Sequence, residues 1–220
     1  MILQTLKDGT ELWTHDKGEY ISDVISQTKW YYEPKTIDYI KSLNLEKCTI
    51  LDVGANIGNH THAINKFTKD CYVISIEPFE KNLEILKLNH NNGHILNWFA
   101  DNDINAYNEI EFKISPIWGK NNLGYIKQTN EGQTVNVNCI DSIFLENLAL
   151  IKLDIEGNEL NALKGALHTI GVFKPIIIAE HHTESEHLEV LSYLKQFGYS
   201  LETIIEEDNI NYVYSCQVKK

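Results

Sequence analysis

From Thr49 onward, short apolar runs alternate with stretches whose apolar residues recur at helical spacing. The runs at 49–53, 72–77, 95–100, 149–154 and 175–180 have the length of buried strands. The periodicity between and after them predicts helices over 58–68, 79–91, 157–169 and 184–197. The second places Leu83, Leu86 and His90 on one side and closes on Asn91-Asn92-Gly93, a C-cap signal. The third aligns Leu160, Leu163, Leu167 and Ile170, and the fourth aligns Leu188, Leu191 and Leu194. Such alternation implies right-handed crossovers and a mostly parallel sheet covered on both faces.

Both ends depart from this rhythm. Met1–Trp13 reads as a hairpin around Asp8-Gly9, and 19–27 as a short helix. Pro34 suits the first position of a helix carrying Ile37, Ile40 and Leu43. No Pro/Gly/Ser-rich linker follows, so residues 1–45 are expected to form an extension on a domain spanning 46–220. At the other end, Tyr199–Ile205 and Tyr212–Val218 flank the polar turn Glu206-Glu207-Asp208-Asn209, with no room for a helix. They should pair antiparallel. An insertion over 103–140 is predicted to hold strands near 109–114 and 123–127, joined by Gly119-Lys120-Asn121-Asn122.

The 220 residues suit one domain, and 43% hydrophobic residues suffice for an ordinary core. No apolar run is long enough to span a membrane, and the first residues lack the apolar region of a secretory signal. A cytoplasmic location is therefore expected. The net charge is −12 and the chain contains no arginine. That argues against a nucleic-acid substrate, whose binding depends on neutralising phosphates. It also weakens the case for a strongly anionic acceptor, because forked guanidinium contacts are the usual device there. Cys48, Cys71, Cys139 and Cys216 form no C-x-x-C pair and read as small buried hydrophobes, not as a zinc site or a disulfide.

The chemistry concentrates where the first long strand ends. Ile50-Leu51-Asp52-Val53-Gly54-Ala55-Asn56-Ile57-Gly58 is a strand entering a glycine turn and then a helix, and the next strand ends in Glu77. Strand, glycine turn, helix, strand and terminal acid make a nucleoside-binding half-unit, in which the acid accepts the ribose hydroxyls. A dinucleotide site favours a middle glycine that lets the backbone close on a pyrophosphate. Asn56 stands in that region, so a nucleoside without pyrophosphate is favoured: S-adenosylmethionine over NAD.

Three segments together carry a family resemblance: Asp52–Thr61, Ile76-Glu77-Pro78, and Ile151-Lys152-Leu153-Asp154-Ile155-Glu156-Gly157-Asn158-Glu159. With Leu163-Lys164-Gly165-Ala166 and Ile178-Ala179-Glu180-His181, the chain resembles FkbM-type methyltransferases over roughly residues 30–200. The resemblance implies a Rossmann-like, seven-stranded class I methyltransferase sheet, mostly parallel with a C-terminal antiparallel hairpin. It also implies S-adenosyl-L-methionine as donor and, commonly, O-methylation of sugars or other small hydroxyl compounds.

Ligands of open α/β sheets sit beyond the carboxyl ends of the strands, and this selects the candidates. Gly54, Gly58 and their backbone N–H groups can hold the methionine carboxylate, with amide contacts from Asn56 and Asn59. Asp52 either faces the cofactor ammonium or braces the turn. Glu77 takes the ribose, Pro78 or Phe79 packs on the adenine, and Asp101, ahead of Asn102, reaches the adenine amine. Asp154, Glu156 and Glu159 either cap a helix start, face the sulfonium and acceptor, or hold a divalent metal with His181 or Glu180. A metal is not expected, although such an oxygen-rich set suits Mg²⁺ or Ca²⁺. His181 is the preferred general base, with Asp154 and His60 as further catalytic candidates. Tyr31, Tyr32, Glu156 and Glu180 are expected to bind the acceptor, and Trp30 and Trp118 to help wall its pocket.

The expected activity is thus O-methylation of a small acceptor, with a sugar or glycan favoured. Two alternatives remain at this point: an NAD(P)-dependent oxidoreductase and a non-catalytic methyltransferase-like binding module. Sequence leaves acceptor identity, oligomeric state and metal dependence open.

Overall fold

A computed structural model of the chain describes residues 1–102, 112–116, 126–128 and 133–216. Gly9, at φ +82°, turns the first hairpin, and Ile2–Thr5 (β1) pairs antiparallel with Glu11–Thr14 (β2). Tyr20–Thr28 (α1) follows, capped by the Glu19 carboxylate, which accepts from the Ile21 and Ser22 N–H groups. Pro34 opens Pro34–Ser42 (α2). This N-terminal stretch packs directly on the rest of the chain: Leu6, Leu12, Ile25, Tyr31 and Ile37 share one apolar cluster with Ile57, Ala63 and Ile85.

Strand–helix alternation then runs as the apolar pattern implies. Thr49–Val53 (β3), Asn59–Phe67 (α3), Tyr72–Ile76 (β4) and Glu80–Asn89 (α4) lead into Gly93–Leu96 (β5). The expected third strand over 95–100 is two pieces. Trp98 turns into the core, and Phe99–Ala100 (β6) leaves the main sheet to pair with Val137–Asn138. In the insertion, Phe112–Pro116 (β7) pairs antiparallel with Ile126–Gln128 (β8) and with Gln133–Val135 (β9). β7 and β8 overlap the strands expected near 109–114 and 123–127; residues 109–111 and 123–125 and the predicted turn at 119–122 lie outside the described residues. Val137–Asn138 is β10.

Leu148–Leu153 (β11), Ile176–Glu180 (β12), Tyr199–Glu206 (β13) and Ile210–Cys216 (β14) complete a seven-stranded sheet of order β13-β14-β12-β11-β3-β4-β5. β12, β11, β3, β4 and β5 are parallel neighbours in that order, and β14 runs antiparallel to both β12 and β13. The sheet is therefore the expected mostly parallel one with a C-terminal antiparallel hairpin.

Two helices differ from expectation. The span 157–169 is broken into Glu159–Lys164 (α5) and Leu167–Phe173 (α6). A β-carbon on Gly165 at the break would lie 2.1 Å from the Asp101 carbonyl oxygen, so the chain passes too close there for any side chain. Leu167 is consequently exposed. Glu184–Lys195 (α7), started by a Thr183–Glu186 capping box, buries His187, Val190 and Leu194 and exposes Leu188. Of the expected stripe, Leu194 is buried and Leu191 packs on the core, and only Leu188 faces outward. Cys48 and Cys71 lie buried at the amino edge of the sheet with their Sγ atoms 3.2 Å apart, and burial pushes the Cys48 thiol up to about 12.

Candidate active site

The carboxyl ends of β3, β4, β11 and β12 open onto one cleft of about 260 Å³. The turn after β3 is built from left-handed residues, with Gly54 at φ +80°, Asn56 at +50° and Gly58 at +85°. Gly54 and Ala55 both donate their N–H to the Ile76 carbonyl, which draws the turn against the end of β4. A β-carbon on Gly54 would lie 1.9 Å from the Asp154 carbonyl oxygen, so the turn also abuts the end of β11. Only glycine allows both approaches.

Glu77 stands at the centre of this arrangement. It is 2% exposed; Oε2 accepts from the Asn56 N–H at 2.8 Å and Oε1 from the Phe79 N–H at 2.8 Å. Burial pushes its carboxyl up to about 7, against the lowering effect of those two N–H groups. Oε1 also takes a long bond from Asn82 Nδ2 at 3.5 Å, Oε2 keeps a further acceptor site, and the side chain borders the cleft. Asn56 borders it too, and its Oδ1 is buried without a partner. Pro78, Asn82, Trp98 and Phe99 continue the wall on this side.

Asp154, Glu156, Glu180 and His182 line the opposite side. Lys152, wholly buried in β11, donates to Asp154 Oδ2 at 3.1 Å. Burial alone would raise the Asp154 carboxyl, but the adjacent ammonium outweighs it and leaves Asp154 lowered. For Lys152 the balance runs likewise: burial lowers it, and Asp154, Asp52 and Glu33 together raise it. Glu180 carries the opposite shift. Burial first, then the Asp154 charge, push it up to about 11. His182 Nε2 lies 2.8 Å from Glu156 Oε2, and that hydrogen bond raises its imidazole. Tyr20, Ile21 and Tyr32 from the N-terminal extension, with Asp208 and Asn209 from the last hairpin, close the mouth. Asn209 donates to the Tyr32 hydroxyl at 3.3 Å.

Several expected site residues lie elsewhere. His181 is off the cleft wall, because alternation along β12 turns it to the face opposite Glu180. Its Nε2 is 3.0 Å from the Tyr214 hydroxyl, and burial together with nearby His187 lowers it to about 4. Asp52 does not reach the cleft either. Its Oδ2 accepts from Thr61 Oγ1 at 2.6 Å, and Ser75 Oγ lies 2.7 Å from the same hydroxyl, so Asp52 braces the turn from beneath. Asn59 clamps Tyr32, accepting from its N–H and donating to its carbonyl, both at 2.9 Å. His60 sits behind the wall with Nε2 3.3 Å from Glu33 Oε2. The Tyr31 hydroxyl meets His62 Nδ1 at 2.7 Å within the core.

Asp101 and Asn102 form the turn after β6. Asp101 accepts from Asn158 Nδ2 at 3.1 Å and from the Asn102 N–H, and Trp98 to Ala100 line the cleft in their place. Glu159 serves its own loop, accepting from the Ile155 and Gly157 N–H groups, and burial pushes it up to about 7. Trp118 lies outside the described residues.

Tyr32, expected from sequence to meet the acceptor, does line the cleft, whereas Lys152, His182 and Tyr20 are site residues that were not singled out from sequence. Lys152 did leave a signal, a lysine inside an apolar run that reads as a fully buried parallel strand. His182 is one residue from the histidine that was favoured.

A seven-stranded sheet of this order, with a glycine turn facing a strand-end acid, defines the class I methyltransferase fold. The pattern of the Methyltransferase FkbM domain matches residues 52–201, and the chain belongs to that family. No curated protein sequence matches it. Among solved structures it is similar to methyltransferase FkbM from Methylobacillus flagellatus KT, with 22% identity and a TM-score of 0.55, over 77% of this chain and 44% of that one. This chain thus spans less than half of the Methylobacillus protein. It is also similar to precorrin-6y C5,15-methyltransferase from Geobacter metallireducens GS-15 (11% identity, TM-score 0.52, 94% of each chain). A third match is a Pyrococcus abyssi tRNA (uracil-54, C5)-methyltransferase solved with S-adenosyl-L-homocysteine (11% identity, TM-score 0.53, 97% of this chain and 43% of that one). Family membership displaces the nicotinamide-dependent alternative. Among the described residues, no helix is long and apolar enough to cross a membrane.

Proposed function

We propose that this chain is an S-adenosylmethionine-dependent O-methyltransferase acting on a hydroxyl of a small acceptor, with a sugar or glycan favoured. The observation that carries the reading is Glu77. A buried carboxylate at the tip of β4, with an acceptor site open on Oε2 and only the long Asn82 bond to displace on Oε1, suits the two hydroxyls of a ribose. The unpartnered Asn56 Oδ1 beside it suits the cofactor's amino-acid end. S-adenosylmethionine supplies an electrophilic methyl: the acceptor oxygen bonds to that carbon as the carbon–sulfur bond breaks, its electron pair stays on sulfur, and the hydroxyl proton departs.

The chain's own work is positioning and proton removal. Trp98 and Phe99 offer apolar surface for the adenine on the Glu77 side. Lys152 keeps Asp154 ionised, so Asp154 can accept the acceptor's hydroxyl proton. Tyr32, Glu180 and His182 face the space left for the acceptor, and the tyrosine ring suits the face of a sugar.

Calorimetry with S-adenosylhomocysteine tests the cleft: micromolar binding is expected, and none would overturn the reading. Incubation with methyl-labelled donor and a panel of glycosides should place the label in an ether; transfer only to nitrogen or carbon acceptors would overturn the O-methyl assignment. Asp154→Asn should lower turnover about a hundredfold and leave S-adenosylhomocysteine affinity within about threefold.

The raised Glu77 carboxyl makes a pH prediction. Ribose hydroxyls donate hydrogen bonds, so they favour the ionised form. Below about 7 the empty site holds a proton that binding must expel. S-adenosylhomocysteine affinity should therefore rise about tenfold from pH 6 to pH 8 and flatten above. Glu77→Gln should abolish that slope.

A further inference from the structure

Glu156, Glu180 and His182 each bring one donor atom to within 4.8 Å of the other two. They arrive from two separate elements: Glu156 from the loop after β11, Glu180 and His182 from the end of β12. Glu156 is held at φ +58°, a left-handed conformation that a β-carbon disfavours. His182 Nε2 lies 2.8 Å from Glu156 Oε2, and its Nδ1 lies 3.5 Å from Glu180 Oε1.

Glu180 is an independent sign of a missing ligand. The residue is 4% exposed, it lines the cleft, and Oε2 is buried without a hydrogen-bond partner. The Asp154 carboxyl stands within hydrogen-bond reach of the same side chain, and two carboxyls so placed and buried call for a shared proton or a bound cation. A single imidazole with two carboxylates matches the donors of a first-row transition cation; Ca²⁺ takes a larger shell of oxygens alone. The trio lines the cleft at the ends of β11 and β12, with β3 between it and Glu77 at the end of β4.

We propose that Glu156, Glu180 and His182 bind a divalent first-row transition cation whose remaining coordination positions hold two oxygens of the acceptor. The acceptor class is then a chelating one, a vicinal diol or a hydroxyl beside a carbonyl. The acceptor half of this inference rests on the methyltransferase reading of the cleft; the metal half does not. A cation here would also fix which hydroxyl lies nearest the methyl group, because both chelating oxygens are held at once.

The test uses the full chain stripped with EDTA, with Mn²⁺ as probe and no donor or acceptor present. Electron paramagnetic resonance should show one Mn²⁺ bound per chain with micromolar affinity. Glu180→Gln and His182→Ala should each weaken it at least tenfold, by analogy with the loss seen when a metal site's supporting residues are removed. Circular dichroism and S-adenosylhomocysteine affinity in EDTA, each expected to match wild type, show that the variants fold. No saturable Mn²⁺ binding by wild type overturns the metal site, as does wild-type affinity in both variants. Wild type that binds S-adenosylhomocysteine but not Mn²⁺ sinks this proposal alone. Mn²⁺ binding without S-adenosylhomocysteine binding sinks the cofactor reading and leaves the metal site standing. With both bound, a catechol or glycoside diol should sharpen or shift the bound Mn²⁺ spectrum, and an equally concentrated mono-alcohol should not; identical spectra would overturn the chelated acceptor.

Discussion

Lys152→Met is expected to destabilise the chain by about 3–5 kcal/mol, the usual result of removing one partner of a buried ion pair. The side chain is wholly buried in the middle of the sheet. Its ammonium compensates Asp154 at 3.1 Å and also the nearby charges of Asp52 and Glu33. Methionine fills most of the volume, so the loss is electrostatic and not a cavity effect. For a domain of this size the melting temperature should fall by roughly 6–20 °C at pH 7.

The pH dependence identifies the cause. With Lys152 present, Asp154 is lowered, so it contributes stability above its unfolded value that is lost as pH falls through the folded one. Without Lys152, burial raises Asp154, and the folded state is penalised wherever that carboxylate must ionise. The gap between variant and wild type should therefore narrow from pH 7 to pH 5. Thermal unfolding followed by circular dichroism measures both. A melting temperature within 2–3 °C of wild type, or about 1 kcal/mol, would mean that Lys152 is not the charge that holds Asp154 ionised.

Glu77→Ala should weaken S-adenosylhomocysteine binding by about 10² to 10⁴-fold. Two hydrogen bonds to a charged acceptor are lost, each contributing about 1.5–3 kcal/mol. The alanine also leaves the Asn56 and Phe79 N–H groups without their present acceptors, which loosens the glycine turn. Glu77→Gln separates the two effects, because the amide oxygen still accepts one of these bonds. Calorimetry should place Gln between wild type and Ala. Affinity unchanged in Glu77→Ala would remove the ribose from this position and, with it, the orientation of everything else in the cleft.

The parts legible in sequence were those with a local cause. Strand and helix positions followed from apolar period, the hairpin at the end from the absence of a helix between two strand-like runs, and the Glu77 site from a glycine turn and an acid at fixed separation. The errors also have identifiable causes. The leucine stripe of α7 holds at Leu191 and Leu194, but His187 and Val190 take the inward place at the helix start and Leu188 is left exposed. The third strand looked continuous, but Trp98 found more burial by breaking it. His181 and His182 are equivalent on paper; the two-residue period of β12 placed Glu180 on the cleft face and turned His181 toward Tyr214.

Sequence by itself determined the sheet, its crossovers, the family and the acid at the tip of β4, because each depends on spacing along one stretch of chain. Tertiary structure alone decided that Asp52 and Asn59 brace while Asn56 borders the cleft. It also decided that Lys152 governs Asp154, and that Glu156, Glu180 and His182 meet. Those facts depend on distances between strands far apart in the chain, and on charges whose effect is set by how much water the folded sheet excludes around them.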